Sequence, residues 1–109
     1  MGAALLGTSG TVYRGCNVEN VSYGLTVCAE RVAIQSAVAA GERTFVAVAI
    51  ATGARSPTPP CGACRQVLHE FGAGLQVVLP GDPEPTVEPL SAFLPRGFGP
   101  DELADGQDT

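Results

Sequence analysis

Four side chains carry the residue types for metal-assisted chemistry: Cys28 and Glu30 in the stretch CAER, and Cys61 and Cys64 in PCGACRQ. Cysteines three apart at a helix start can turn both sulfurs toward one point, which is half of a zinc site. Cys28 opens a second predicted helix. Each sulfur then lies where unpaired backbone N–H groups and the positive helix end favour a thiolate. Two such helix starts facing each other make one three-thiolate pocket. Three protein ligands leave zinc's fourth tetrahedral position for water, which marks a catalytic site, whereas structural sites are closed by four. In favourable zinc sites the pKa of that water falls from about 15.7 to roughly 7. Three thiolates oppose this by giving the ion a net negative charge, so a nearby cation is needed. Arg31 and Arg65, each directly after a residue of the constellation, are available. Glu30 is too close in sequence to Cys28 to share the ion comfortably, yet near enough to hydrogen-bond its water.

Two alternatives stay open at this point. The three cysteines could be ordinary buried thiols, since free cysteine is among the most buried residue types. Cys16 could also serve as a fourth ligand and close the site. His69 is read as a packing or surface residue outside it.

The elements that must position these residues follow from patterning. Residues 3–6 and 11–18 flank Gly7, Thr8, Ser9 and Gly10 and read as a hairpin. Residues 27–40 are Ala-rich, stop at Gly41 and predict a helix buried nearly all round. Residues 45–51 form a continuous apolar run of the kind expected of a central strand covered on both faces. A Pro-rich loop through Gly53, Ser56, Pro57, Pro59 and Pro60 leads into a second helix over residues 61–71, closed by Gly72, and then a buried strand at 75–79. A short strand around Val87 and a helical turn at 90–93 complete the order. The alternation predicts an α/β fold with helices packed on a mixed sheet. Residues 101–109, with Asp101, Glu102, Asp105 and Asp108, predict a frayed acidic tail.

Composition bounds the function. The chain has 109 residues, 45% hydrophobic and 16% charged, which fits one globular domain with a real core. Its net charge of −5 argues against nucleic-acid or other polyphosphate partners and leaves small neutral substrates. No apolar run reaches the roughly 18 residues needed to span a bilayer, and the start lacks a cationic leader, which predicts the cytoplasm and no membrane partner. In that reducing compartment four cysteines are ligands or catalysts rather than disulfides.

With CAER and PCGACRQ in view, together with GCNVENVSYG at residues 15–24 and FLPRGFGPDEL at 93–103, the chain closely resembles the small homotetrameric, zinc-dependent cytidine deaminases over almost its whole length. The resemblance implies a three-layer α/β/α sandwich around a mixed, mainly five-stranded sheet, as a single domain over residues 1–100. It implies hydrolytic deamination of cytidine and deoxycytidine, one Zn²⁺ per subunit on Cys28, Cys61 and Cys64, and Glu30 as general acid and base. Asn17 and Glu19 match the ribose-binding pair, whose carboxylate should also repel a 5′-phosphate. Ala29, Tyr23 and Phe98 are implied substrate contacts, the two aromatics coming from neighbouring subunits of a tetramer. Arg31 is implied to hydrogen-bond the thiolates. Family members carry a helix and a Phe-Pro segment before the counterpart of GAALL, where this chain has Met1. The expectation is a chain short of its usual first helix that binds zinc but turns over slowly. Deamination of another cytosine nucleoside, such as blasticidin S, and a zinc-binding module without catalysis are the competing readings.

Overall fold

In the computed structural model, which describes residues 1–52, 58–81 and 83–100, five strands form one sheet in the order β2-β1-β3-β4-β5. The strands are β1 Gly2–Gly7, β2 Val12–Cys16, β3 Phe45–Ala51, β4 Gln76–Leu79 and β5 Thr86–Pro89. The helices are α1 Ala29–Ala39 and α2 Gly62–His69. β1 pairs antiparallel with both β2 and β3, β3 runs parallel to β4 with α2 in the crossover, and β5 returns antiparallel. The expected order of elements, the hairpin and the mixed sheet are all present, with a 3-10 turn at Leu90–Ala92. The Pro-rich loop at 53–57 and the acidic tail at 101–109 fall outside the described residues.

Register explains where the core lies. Leu5 stands opposite Val48, and Val48 opposite Val77, so these side chains share one face of the sheet; Ala3 and Ile50 are a second such pair. All five are buried there with Ala29, Ala33, Ile34 and Ala37 of α1, Leu68 of α2 and Leu90. The opposite face carries Ala4, Leu6, Ala47, Ala49, Ala51 and Val78, and Ala49 and Ala51 are exposed. β3 is therefore covered on one face, not on both as its unbroken apolar run predicts. A run of small apolar residues contains no alternation from which the second face could be read. Both helices contribute to this single core, so the α/β class is as expected, while a helix layer on the opposite face is not formed among the described residues.

α1 is likewise narrower than predicted. Gln35, Ser36 and Ala39 are exposed, leaving a one-sided helix whose buried stripe is mostly alanine. Alanines allow a close approach. Gly15 in β2 completes it, because a Cβ there would stand 2.3 Å from the carbonyl oxygen of Ala29 and 2.6 Å from the nitrogen of Ala33. Only a glycine lets the start of α1 lie this near the strand. At its other end α1 closes on Gly41, whose φ of 95° is the left-handed conformation glycine adopts without cost.

Candidate metal centre

The two helix starts meet. Cys28 is the N-cap of α1 and Cys61 the N-cap of α2, both with extended backbone, and Cys64 lies one turn into α2. A capping side chain turns back toward the free N–H groups of the first turn; the Cys61 sulfur accepts from the Cys64 N–H at 3.4 Å. The three sulfurs, from residues 33 and 3 positions apart, lie within 4.8 Å of one another. Cys28 Sγ is 3.7 Å from Cys61 Sγ, and Cys61 Sγ is 3.2 Å from Cys64 Sγ. Zn–S bonds of about 2.3 Å in a tetrahedron require sulfurs about 3.8 Å apart. The cluster is thus of the size a zinc ion needs. Cys16, exposed at the end of β2, is not part of it, which removes the closed four-cysteine alternative among the described residues.

The charges around the sulfurs are arranged for a metal. Burial pushes the Cys64 thiol far up, and contact with the Cys61 sulfur and the Glu30 carboxylate pushes it further. Burial also opposes ionisation of Cys61, but donation from the Cys64 N–H, the Cys64 and Cys28 thiols and the Ala63 N–H together outweighs it and holds Cys61 below the usual thiol range. Burial opposes ionisation at both sulfurs, so the thiolates need compensating charge nearby. Arg31 supplies part of the compensation. Its Nη2 donates to Cys28 Sγ at 3.6 Å and to the Thr26 carbonyl at 3.3 Å. Bonding to the Cys28 sulfur raises its pKa, against the opposing effect of burial. Arg65, the other candidate cation, turns away to the carbonyls of Pro60 and Phe93.

Glu30 is the one buried charged residue among those described, only 2% exposed, and its Oε1 has no hydrogen-bond partner. A buried carboxylate oxygen without a donor costs about 1–3 kcal/mol or more. Its position beside Cys64 and its free oxygen suit a water held at the open corner of a three-cysteine zinc site. The donor set, the spacing and this orphaned oxygen all fit the ion.

The remaining predicted residues differ in their surroundings. Ala29, the first residue of α1, is fully buried in the core. Asn17 is half-buried, and its Nδ2 stands 3.5 Å from Glu19 Oε1, which is exposed. Both are brought to Cys28 by an isolated bridge in which Val18 and Val27 exchange N–H···O bonds of 2.8 and 2.9 Å. Thr26 extends this link, accepting from the Asn20 N–H at 3.1 Å. Sequence reasoning missed Thr26 and the bridge; the two valines flanking a polar stretch were the only signal. Tyr23 is 88% exposed and lines, with Glu19, Asn20 and Thr26, an open hollow of about 340 Å³. Phe98 is 58% exposed.

A mixed sheet that brings cysteines from two helix starts together beside a buried glutamate is the construction of a zinc-dependent deaminase. Residues 1–79 match the sequence pattern of the cytidine and deoxycytidylate deaminase zinc-binding region. Cytidine deaminase of Sporosarcina psychrophila is 45% identical over 108 residues, covering 95% of this chain and 78% of that protein. That of Mycobacterium tuberculosis is 44% identical over 103 residues, covering 94% and 75%. Among solved structures, cytidine deaminase from Burkholderia pseudomallei superposes with a TM-score of 0.83 at 48% identity, covering 89% of this chain and 80% of that one. The chain belongs to the cytidine and deoxycytidylate deaminase family.

Proposed function

We propose that this protein deaminates cytidine and deoxycytidine hydrolytically to uridine and deoxyuridine, releasing ammonia. The observation that carries the reading is the buried, unpaired Glu30 oxygen beside three convergent cysteine sulfurs. Cys28, Cys61 and Cys64 would hold one Zn²⁺, which supplies the Lewis acidity that makes water a nucleophile near neutral pH. Glu30 takes the proton of the attacking water and delivers it to ring N3 as the water oxygen bonds to C4. It then takes the proton from the new C4 hydroxyl and passes it to the amino group, so that the C4–N bond breaks, ammonia leaves and a carbonyl remains. Arg31 offsets the sulfur charge through Cys28.

Asn17 and Glu19 hold the sugar hydroxyls, one donating and the other accepting, and the Glu19 carboxylate disfavours a 5′-phosphate. Ala29 backs the base. Tyr23 and Phe98, exposed in the single chain, close over nucleosides bound by neighbouring subunits of a homotetramer, which explains why two large aromatics stand in solvent. The described residues include no helix long and apolar enough to cross a membrane, in keeping with a cytoplasmic enzyme. The test is Glu30→Gln: the fall in cytidine absorbance should slow by about 10²- to 10⁴-fold while the zinc content stays at one per chain. Turnover at the parental rate would end the assignment.

A further inference from the structure

The turn of α2 that bears Cys61 and Cys64 also grips the segment carrying Phe98. Arg65, next to Cys64, donates through Nη1 to the Phe93 carbonyl at 3.0 Å and through Nε to the Pro60 carbonyl at 2.7 Å. Its guanidinium lies over the Phe93 ring, 5.5 Å from the centroid. One residue on, Gln66 Nε2 donates to the Phe98 carbonyl. Between these points the segment presses on the helix, since a Cβ at Gly97 would stand 2.9 Å from the His69 ring. Upstream, Leu90 is fully buried and its N–H reaches the Leu75 carbonyl at 2.7 Å. The segment 93–98 is therefore held at both ends, by the carbonyls of Phe93 and Phe98, while the Phe98 ring is left in solvent. A large aromatic held by its own carbonyl is preorganised for a partner, because little ordering remains to be done on binding.

We infer that Arg65 and Gln66 are positioning residues, strapping the 93–98 segment to the metal-bearing helix so that Phe98 is presented to the nucleoside base. The inference rests on the proposed role of Phe98. It joins the Cys61–Cys64 turn and the aromatic contact into one mechanical unit, although neither Arg65 nor Gln66 touches substrate. Gln66 is exposed, so Gln66→Met removes the donor with little change of shape and leaves the core untouched.

The experiment is a double-mutant cycle on the zinc-loaded full chain, measuring kcat, KM for cytidine and zinc content for the parent, Gln66→Met, Phe98→Ala and the double variant. Gln66→Met should raise KM about fivefold, the worth of one net hydrogen bond, with kcat within about twofold and zinc unchanged. In the Phe98→Ala background the same change should add nothing. Arg65→Lys, which keeps the charge and loses the forked reach, should shift KM in the same direction. An unchanged KM in Gln66→Met, full additivity with Phe98→Ala, or loss of zinc from Gln66→Met would each overturn the inference while leaving Phe98's role standing. An unchanged KM in Phe98→Ala would instead remove that role, and the inference with it.

Discussion

Gly15→Ala tests whether the approach of α1 to β2 builds the site. The added carbon would meet backbone alone: Ala29 O at 2.3 Å, Ala33 N at 2.6 Å and Ala33 Cα at 3.1 Å. No side chain can rotate out of its way. Ordinary contact begins at 3.4 Å, so the start of α1 must retreat from the strand by about 1 Å. Overpacking of this kind costs about 1–3 kcal/mol, and each kcal/mol lowers the midpoint of a domain this size by roughly 4 °C or more. Catalysis should suffer more. The displaced turn carries Cys28 and Glu30, and a misplacement of about 1 Å costs on the order of 100-fold in rate. The assay is a thermal melt beside cytidine turnover with zinc in excess, where the expected result is a folded variant whose rate has fallen well beyond its loss of stability. A variant that melts with the parent and turns over at the parental rate would show that helix and strand can part without disturbing the centre.

Cys16→Ser should keep one zinc per chain and the parental rate, whereas Cys64→Ser should release the metal to a chelator at far lower concentration; equal zinc loss from both would restore Cys16 as a ligand. Glu42 accepts from the Ser9 hydroxyl at 2.6 Å, the Ser9 N–H at 2.9 Å and the Tyr13 hydroxyl at 2.8 Å, and these bonds hold its carboxyl below the usual carboxylate range. A depressed value in the folded state means stability that is present above the unfolded value and lost as pH falls through the folded one. The melting midpoint should therefore drop more on acidification through and below the ordinary carboxylate range in the parent than in Glu42→Gln. Parallel pH profiles would refute the staple.

The metal set was legible because each of its parts is local. A cysteine pair three apart at one helix start, and a cysteine followed two places on by glutamate at another, depend only on helix geometry and on the caps that Pro60 and Gly41 punctuate. Their convergence was an expectation that needed the fold, because 33 residues separate Cys28 from Cys61. The choice between Arg31 and Arg65 was not legible in the residues themselves, and only the family resemblance pointed to Arg31. Both adjoin the constellation in sequence, and which one reaches a sulfur depends on the side of its helix that meets the other. α1 turns Arg31 toward Cys28, while α2 turns Arg65 to the carbonyl of Phe93.

The same division holds for packing. Residue type and spacing by themselves determined the order of strands and helices and offered the three cysteines and Glu30 as candidates, since these follow from backbone periodicity and donor chemistry. Tertiary structure decided which face of β3 is covered, that Gly15 must lack a side chain, that Val18 and Val27 carry Asn17 and Glu19 to the centre, and that Gln66 holds the carbonyl of Phe98. Those outcomes depend on distances between segments far apart in the chain, and an apolar run or a lone glycine reads the same whichever neighbour it meets.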